Sequence, residues 1–227
     1  ARQGFRTIGD ALQSTTAGIY TSSQRDYSYT GIRGISSPGD YNTRLLLLND
    51  GVRLNDPLYD SALIGTESPL DIDWIKKIEY ISGPGSSLYG GNAILGVVNV
   101  IPYSGSDLNG SKTTIEAQSD NRYKASLLTG HSLGNGNDYI FGLSGTSGKG
   151  PNLYFPSQGW ANGLDSDHYV KAYAKAIIYD WSINLGLSQR NKNIPTAYWG
   201  TAFNQSGTYN NDDYYYLNLS NQHEISN

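Results

Sequence analysis

The spacing of hydrophobic residues changes near residue 108 and divides the chain into two parts. Before that point, short apolar runs are separated by Gly, Pro, Asn and Asp, which is typical of short helices and strands joined by tight turns. From about Ser111 onward, apolar and polar residues alternate over long runs, as they do in half-buried β-strands. The pattern predicts a compact α+β domain over residues 1–108 and antiparallel strands over residues 109–227.

Local signals predict four elements of the first part. Ser and Thr favour helix N-caps, Asp-Gly favours the positive φ angles of a type I′ hairpin turn, and period-two alternation favours a strand. In chain order, these signals predict a helix capped by Thr7 with Ile8, Ala11 and Leu12 on one face, a two-residue turn at Asp50-Gly51, a helical turn over 70–75 capped by Ser68, and a strand from Lys76 to Ser82.

Six alternating runs in the second part are predicted to be strands: 112–119, 123–133, 139–148, 168–179, 181–190 and 212–221. In the run from His168 to Ile178, Val170 and three alanines lie on one face, and Lys171 and Lys175 lie on the other. Strands of ten or eleven residues have the length that a tilted strand needs to cross a bilayer. Lysines are tolerated on a face that looks into a wet lumen but not on a face that looks into lipid.

The connections between these runs alternate in length. Residues 134–137 and 179–180 are short, whereas 149–167 and 191–211 are long, as expected of up-and-down strands with turns at one rim and loops at the other. The first connection, 120–122, is short although it lies on the long-loop rim. A water-soluble β-sandwich would also give alternating strands, but it explains the alternation of short and long connections less well.

Composition narrows the class of protein. The chain has 227 residues and no Cys, which excludes a disulfide scaffold and a Cys-ligated metal site. It has 19 Tyr, 27 Gly and only 16% charged residues, which suits a β-rich protein with aromatic membrane-interface girdles as well as a soluble all-β domain. The net charge of −4 and the absence of a basic run make nucleic acid an unexpected partner.

Three segments carry a resemblance to a known family. They are Ile32-Arg33-Gly34, the run from Leu45 to Asn55, and residues 78–101, which read as a strand, a Gly-Pro-Gly break, one helical turn, a Gly-Gly break and a second strand. In this order they closely resemble the plug domain of TonB-dependent outer-membrane receptors. The resemblance implies an α+β plug domain followed by transmembrane β-strands of a large outer-membrane β-barrel in a Gram-negative bacterium.

Barrel geometry gives an expectation about the length of the whole protein. Six strands cannot close around a plug of a hundred residues, and open edges at membrane depth would leave backbone groups unsatisfied. A lumen wide enough for a plug needs roughly 22 strands. We therefore expect about sixteen more strands beyond Asn227. The resemblance also implies a signal peptide, a TonB-contacting segment and a first plug strand before Ala1.

The resemblance implies an active-transport receptor and not an enzyme. The expected ligand is a scarce nutrient, most often an iron–siderophore complex, and the expected partners are TonB with its inner-membrane complex and outer-membrane lipid. Cobalamin, haem, another metal chelate or an oligosaccharide would fit the same machinery. A ligand-binding module without a transport role is the alternative of another class. No Gly-x-Ser-x-Gly motif or acid–base cluster supports a hydrolase.

Arg33 receives a specific role from the resemblance. In the family this Arg lies inside the plug and pairs with carboxylates of the barrel wall, which here would lie beyond Asn227. A buried ion pair makes a good latch, because the loss of one partner leaves an uncompensated charge. The alternative is an exposed Arg in a turn. Many members carry a second Arg where this chain has Ser82, so its plug is expected to be held more loosely or by other residues.

By resemblance, the plug presents three apices to the outside, about 20–27, 36–42 and 53–60, and the long loops of the barrel add to them. Aromatic rings at such a mouth offer a large contact area with a polar edge. The expected ligand contacts are Tyr41, Arg53, Asn55, Tyr59, Tyr154, Phe155, Trp160, Tyr198, Trp199 and Phe203. Arg44 and Arg53 are expected to attract an anionic ligand. A membrane-interface girdle or self-packing of the loops is the alternative for the aromatic residues.

No cofactor or resident metal is expected. His131, His168 and His223 are far apart and lack ligand spacing, so they are expected to be polar surface or lumen residues. Asp165, Asp167, Asp212 and Asp213 lie in or beside long loops and offer oxygen ligands to Ca²⁺. Ordinary solvated acids are the favoured interpretation of these four residues.

Overall fold

The computed structural model of the chain describes residues 4–35 and 39–223. It divides into two compact units, Ala1–Pro102 and Tyr103–Asn227. The boundary between the units follows Pro102, a few residues before the predicted change at residue 108. The short helix Gly105–Leu108 belongs to the second unit because it packs on strands of that unit. Residues 36–38 of the second predicted apex lie outside the described residues.

The first unit combines short helices with two small sheets. Strands β4, β3, β6 and β5 form a four-stranded sheet in that order, and β1 and β2 form a separate antiparallel hairpin. The elements are α1 (Ile8–Thr15), β1 (Ile19–Ser23), β2 (Ser28–Ile32), β3 (Leu45–Asn49), β4 (Val52–Arg53), β5 (Ile75–Ser82), α2 (Ser86–Tyr89) and β6 (Gly96–Pro102).

The core of this unit lies around β3 and β6. These two strands pair in parallel, from Leu45 opposite Gly96 to Asn49 opposite Val100, and every residue of β3 is buried. A parallel pair is normally covered on both faces, so its strands read as continuous apolar runs and not as alternating ones. This explains why the sequence from Leu45 to Leu48 is an unbroken run of leucine.

The predicted helix and helical turn are both present, but one cap differs. The Thr7 hydroxyl accepts a hydrogen bond from the Asp10 amide at 3.0 Å, which confirms the cap of α1. The second helical segment is a single 3₁₀ turn at Ile72–Trp74, and its cap is Asp71, whose carboxylate accepts from the Asp73 amide at 2.9 Å. The prediction of Ser68 as cap was wrong, because an acidic acceptor stands directly before the turn.

The Asp50-Gly51 turn has the predicted geometry. Asp50 has a φ of 49° and Gly51 a φ of 80°, and both central residues of a type I′ turn require positive values. The Gly51 amide donates to Asn99 Oδ1 at 2.9 Å, and Asn99 Nδ2 donates to Glu79 Oε2 at 3.2 Å. A hydrogen bond from Lys77 is the main cause that lowers the pKa of the Glu79 carboxyl, and the bond from Asn99 adds to it. The tip of the β3–β4 hairpin is thus tied to β6 and β5.

We expect Gly51→Ala to destabilise this hairpin by about 1 kcal/mol, because a Cβ atom is strained at positive φ. A Cβ at Gly51 would meet no atom within 4 Å, so the backbone strain acts alone. Hydrogen exchange of residues 45–55 should show the loss. Gly110→Ala is the control, since its Cβ would make only an ordinary contact at 3.7 Å and its φ is not left-handed. Equal protection in the two variants would contradict the expectation.

The second unit is an antiparallel sheet of six strands in the order β14-β13-β12-β9-β8-β7. All six predicted strands are present, and each begins or ends within a few residues of its predicted bounds. The long connection between β9 and β12 also contains a small hairpin, β10–β11, that the alternation did not predict. The elements are α3 (Gly105–Leu108), β7 (Gly110–Gln118), β8 (Arg122–Gly134), β9 (Asn137–Gly148), β10 (Leu153–Phe155), β11 (Gly159–Ala161), β12 (Asp167–Ile178), β13 (Trp181–Asn193) and β14 (Tyr209–Asn221).

The two faces of this sheet differ as the alternation predicts. On β12, Val170 is 59% exposed, whereas its neighbour Lys171 is 3% exposed. Tyr169 and Tyr173 are buried on the same face as Lys171, and the Lys171 ammonium lies 4.2 Å from the centre of the Tyr169 ring. The exposed face carries mainly apolar side chains and the buried face carries most of the charge.

Short turns join β8 to β9 and β12 to β13 at one rim, and the two long connections lie at the other rim. The short connection between β7 and β8 stays on the long-connection rim, as the sequence indicated. None of the helices formed by residues 4–35 and 39–223 is both long and apolar enough to cross a membrane.

Candidate ligand-binding surfaces

Four tyrosines from three segments of the first unit meet in one place, which we call the tyrosine cluster: Tyr27, Tyr29, Tyr41 and Tyr59. Tyr41 is its centre. Its ring centroid lies 5.5 Å from that of Tyr27, edge to face, and 6.3 Å from that of Tyr59, with only 23° between the two ring planes. Tyr29 is buried, whereas Tyr59 is 66% exposed. The cluster therefore has a fixed base and an open aromatic surface.

The backbone under Tyr41 is unusual. Tyr41 and Asn42 have φ angles of 52° and 57°, a region that a bulky residue such as Tyr rarely adopts. The buried side chain of Asn42 holds this conformation. Its Oδ1 accepts from the Thr30 amide at 2.7 Å, and its Nδ2 donates to the carbonyls of Ser28 at 2.8 Å and Ala62 at 3.0 Å. Asn42 therefore joins three segments and fixes the position of Tyr41.

Asn55 was predicted to contact a ligand at the surface, but its side chain lies inside the first unit. Its side chain is buried, Oδ1 accepts from the Leu47 amide at 2.8 Å, and Nδ2 donates to the carbonyls of Leu45 at 3.0 Å and Asp60 at 2.8 Å. These bonds fix the loop against β3 and do not present the amide to a ligand. Asn55 supports the loop that carries Tyr59.

The same loop is stabilised at its tip. The Asp56 carboxylate accepts from the amides of Leu58 at 3.2 Å and Tyr59 at 2.9 Å. The Asp56 amide donates to the Ser61 carbonyl at 2.9 Å, which closes the loop at its base. Local bonds of this kind are typical of Asp in turns. They hold Tyr59 at the surface although most of its side chain is in solvent.

Two arginines each bond an aspartate that is next to a tyrosine of the cluster in sequence, since Asp40 precedes Tyr41 and Asp60 follows Tyr59. Arg53 pairs with Asp60, with both side chains largely exposed, and Arg44 pairs with Asp40 at 2.6 Å. An arginine has five N–H donors in a planar fork, so a single carboxylate does not occupy them all. Both arginines therefore keep N–H donors beyond those that bond the aspartates.

Arg33 lies at the surface of the first unit, in a turn with a φ of 52°. Its guanidinium donates to the Ser82 hydroxyl at 2.7 Å, and its amide donates to the Gly18 carbonyl at 2.8 Å. Ser82 stands at the position where the resemblance led us to expect a second Arg. The two positions are thus in direct contact, and Ser82 occupies one of the guanidinium donors of Arg33.

In the second unit, the predicted aromatic residues form three pairs on the long connections. Tyr154 and Trp160 face each other across the β10–β11 hairpin with ring centroids 5.3 Å apart, and Phe155 packs on Phe203 at 5.6 Å. Tyr198 and Trp199 are in edge contact at 4.6 Å. The Phe155–Phe203 contact joins the two connections to each other. Tyr154, Trp160 and Trp199 remain more than half exposed, so the pairs pack on one another and still present aromatic surface.

Three of the four acids considered as Ca²⁺ ligands, Asp165, Asp167 and Asp212, are ion-paired. Arg190 lies 3.2 Å from Asp167 and 2.8 Å from Asp212, with its side chain 2% exposed, and Lys192 lies 2.6 Å from Asp165. Within residues 4–35 and 39–223, no group of three or more His, Cys, Asp or Glu side chains is arranged to hold a metal ion. The structure thus assigns Asp165, Asp167 and Asp212 to ion pairs at the rim of the long connections.

The three histidines lie apart from one another. His131 lies beside Tyr139, His168 bonds the Ser147 hydroxyl at 3.1 Å, and His223 contacts Asp180 at 2.7 Å. Asp180 is in the short turn between β12 and β13, whereas His168 is near the opposite rim. They do not form a shared site.

Sequence reasoning missed the residues that support the surface. Tyr27 joins the cluster, and Asn42 and Asn92 stabilise the loops, Asn92 by donating to the Thr43 carbonyl at 2.6 Å. The repeated tyrosines between Tyr27 and Tyr41 were the sequence feature that could have identified Tyr27. An isolated Asn in a polar loop gives no such signal, because its role depends on carbonyls that are distant in sequence.

Residues 1–97 match the family model described as TonB-dependent Receptor Plug Domain. The chain is 32% identical over 164 residues to the vitamin B12 transporter BtuB of Vibrio vulnificus, covering 69% of this chain and 26% of that protein. It is 27% identical over 225 residues to the ferric aerobactin receptor of Klebsiella pneumoniae, covering 96% of this chain and 27% of that protein. The chain therefore spans about a quarter of the length of these curated relatives.

Solved structures agree on the fold. The ferric yersiniabactin uptake receptor FyuA from Yersinia pestis superposes with a TM-score of 0.58 at 18% identity, covering 83% of this chain and 29% of FyuA. The ferric citrate transporter FecA superposes with a TM-score of 0.57 at 17% identity, covering 85% of this chain and 30% of FecA. These matches extend beyond residues 1–97 and so include strands of the second unit. The chain thus belongs to the TonB-dependent receptors, with a plug domain followed by antiparallel strands like those of the receptor barrels.

Proposed function

We propose that the chain is part of an outer-membrane receptor that imports an iron–siderophore complex. The observation that carries this proposal is the tyrosine cluster of the plug domain, together with Arg44 and Arg53, whose partners Asp40 and Asp60 adjoin Tyr41 and Tyr59 in sequence. The similarity to the ferric aerobactin receptor, which covers 96% of this chain, supports iron as the cargo.

The chemistry of the surface fits a chelate with flat, partly apolar faces and negative charge. Tyrosine rings contribute contact area at a low entropy cost and carry a polar edge. The exposed face of Tyr59 is a platform on which a planar group can stack, and Tyr41 supports it from the other side. The guanidinium groups of Arg44 and Arg53 would bond carboxylate or phenolate oxygens of the ligand. Tyr154, Phe155, Trp160, Tyr198, Trp199 and Phe203 are proposed as further contacts on the long connections.

The proposed transport cycle needs energy from outside the outer membrane. We propose that TonB and its inner-membrane complex deliver it as a pull on the plug. Arg33 would then act as a latch that pairs with carboxylates of the wall and yields under force. The hydrogen bond from Arg33 to Ser82 keeps the guanidinium at the surface of the plug, where it can reach such a partner. The apolar exposed face of the six-stranded sheet is proposed to contact the hydrocarbon of the outer membrane.

Cobalamin is the second candidate cargo, and one observation favours it. The vitamin B12 transporter of Vibrio vulnificus is 32% identical to this chain, whereas the ferric aerobactin receptor is 27% identical over a longer alignment. Cobalamin is a bulky corrin amide without the negative charge of a carboxylate or phenolate chelate. It would therefore depend less on the two arginines.

The full-length receptor, purified in detergent, tests both candidates. Titration with ferric aerobactin, with other ferric siderophores and with cyanocobalamin, followed by tryptophan fluorescence, should show saturable binding of a ferric siderophore. Growth of a deletion strain under iron limitation should require the gene. Saturable binding of cyanocobalamin alone would replace the proposal by the second candidate. Binding without any uptake would support a non-transporting module instead.

Tyr59→Ala is expected to weaken binding of the ferric siderophore about tenfold, which corresponds to the loss of one aromatic contact. The neighbouring Leu58→Ala is the matched control, because Leu58 is 75% exposed and belongs to the same loop. Fluorescence titration of both variants measures the difference. If Leu58→Ala weakened binding as much as Tyr59→Ala, the loop and not the ring would carry the interaction.

A further inference from the structure

Arg44 and Arg53 differ in how firmly each is held by its aspartate. One oxygen of the Asp40 carboxylate accepts from Arg44 Nε at 3.2 Å and from Arg44 Nη2 at 2.6 Å, and the other accepts from the Asn42 amide at 3.0 Å. The side chains of Arg44 and Asp40 are 33% and 21% exposed. Asp40 is therefore part of the loop structure, and opening its pair with Arg44 would also break the turn that leads to Asn42.

The Arg53–Asp60 pair is built differently. Arg53 Nη2 bonds Asp60 Oδ1, and the two side chains are 43% and 60% exposed. Arg53 Nη1 lies beside Gly91, where an added Cβ atom would stand 4.0 Å away, so the glycine leaves room next to this donor. Exposed ion pairs contribute little to stability, because water screens them and long side chains lose freedom in forming them. Exchanging Asp60 for another anion at Arg53 therefore costs little.

The backbone of Asp60 is fixed although its side chain is in solvent. Its carbonyl accepts from Asn55 Nδ2 at 2.8 Å and from Asn92 Nδ2 at 3.3 Å. Asn92 Nδ2 also donates to the Thr43 carbonyl at 2.6 Å, so the loop of Asp60 lies beside the segment that follows Tyr41. The Asp60 carboxylate can thus turn away into solvent by a change of χ1 while the loop stays in place.

We propose that Asp60 is a specificity-determining residue of the ligand surface, a resident counter-ion that a carboxylate of the ferric chelate displaces from Arg53. This inference rests on the proposed function and concerns the charge of its ligand. A planar carboxylate can bond two nitrogens of a guanidinium, whereas Asp60 bonds Nη2 through one oxygen. The chelate also stacks on Tyr59, so the ring contact adds to the ionic one.

The same pair excludes two other kinds of ligand. A small inorganic anion gains no stacking on Tyr59, so it competes poorly with a carboxylate that is already tethered beside Arg53. An uncharged chelate is not attracted by Arg53, because the Arg53–Asp60 pair carries no net charge. The surface therefore selects a ligand that combines negative charge with a flat face.

Asp60→Asn in the full-length receptor, purified in detergent, tests the proposal. Asn tolerates the positive φ of 58° at this position and keeps the shape of the side chain, but it removes the competing charge. Ferric aerobactin, which carries carboxylates, should bind the variant about fivefold more tightly, the upper end of what an exposed ion pair contributes. An uncharged ferric trihydroxamate should gain no affinity. Fluorescence titration measures both.

Competition by inorganic phosphate gives a readout that a change in loop structure would not produce. Phosphate should compete with ferric aerobactin for Asp60→Asn and leave binding to the wild type unchanged, because only the variant lacks the counter-ion of Arg53. Binding to the variant should also weaken more steeply with added salt. Asp50→Asn is the matched control, since it removes the same charge at another residue of positive φ, 49°, in the turn of the β3–β4 hairpin.

A second variant keeps the test decisive if Asp60→Asn fails to fold. Gly91→Asp adds a carboxylate beside Arg53 Nη1 and should weaken binding of ferric aerobactin about fivefold, whereas Gly91→Asn adds the same bulk without charge and should not. Unchanged affinity in Asp60→Asn, an equal gain for the uncharged chelate, or equal effects of the two Gly91 variants would overturn the proposal. A wild-type receptor that binds neither ferric chelate would instead refute the proposed function.

Discussion

Arg190→Met is expected to destabilise the six-stranded sheet by about 3–5 kcal/mol, the largest effect of any single change described here. Arg190 lies between Asp167 of β12 and Asp212 of β14, and its side chain is 2% exposed. Methionine has a similar length and keeps the packing. It leaves two neighbouring carboxylates without their cation, however, and the cost of burying unpaired charge then dominates.

The temperature at which the full-length receptor loses its compact form on unheated gels measures this effect. Gln189→Met is the matched control, because Gln189 precedes Arg190 on β13 and lies on the exposed face. The combined variant Arg190→Met, Asp167→Asn, Asp212→Asn should recover most of the lost stability, since it removes the uncompensated charges as well. A single variant as stable as wild type would mean that the ion pairs contribute nothing to the sheet.

Asn42→Ala is expected to have the second-largest effect, about 3 kcal/mol on the stability of the plug loops, together with weaker ligand binding. The substitution removes bonds to the Thr30 amide and to the carbonyls of Ser28 and Ala62 in a buried position. Each buried group left unsatisfied costs about 1–3 kcal/mol. Tyr41 also loses the neighbour that holds its backbone at positive φ, so the tyrosine cluster should lose its centre.

Hydrogen exchange at Thr30 and titration with a ferric siderophore give two independent measurements of the Asn42 variant. Asn204→Ala is the control, because Asn204 also has a positive φ of 54° but lies in an exposed loop of the second unit. A variant that exchanges faster at Thr30 yet binds normally would show that Asn42 supports the fold without positioning Tyr41. A variant unchanged in both measurements would contradict the role of Asn42 altogether.

The fold could be predicted from sequence wherever the determinant is local. The turn at Asp50-Gly51, the cap at Thr7 and the strands of the second unit all follow from a few adjacent residues or from period-two alternation. The hairpin β10–β11 could not be predicted in this way, because three-residue strands are too short to show a period. The cap at Asp71 was missed because two polar residues compete for the same turn, and only the backbone decides between them.

The candidate surface was predicted only in part, and for a physical reason. Exposed aromatic and arginine residues can be selected by chemistry, and in the structure Tyr41 stacks on Tyr59, whereas Arg53 pairs with Asp60. Asn55 is also a polar residue of this segment, but its side chain is buried, because its partners are backbone groups of a strand and a loop. Whether a polar side chain faces a ligand or its own backbone depends on tertiary contacts that the linear pattern does not contain.

The parallel pairing of β3 with β6 has a consequence for the order in which the plug folds. β5 and β6 are antiparallel, and residues 83–95 alone separate them in the chain, whereas residues 50–95 separate β3 from β6. Closing a long loop costs more chain entropy, so the β5–β6 hairpin should form first and β3 should dock onto it afterwards. Until β6 is available, the leucines of β3 have only the two-residue pairing with β4, so a segment that ends before Gly96 should expose them and aggregate.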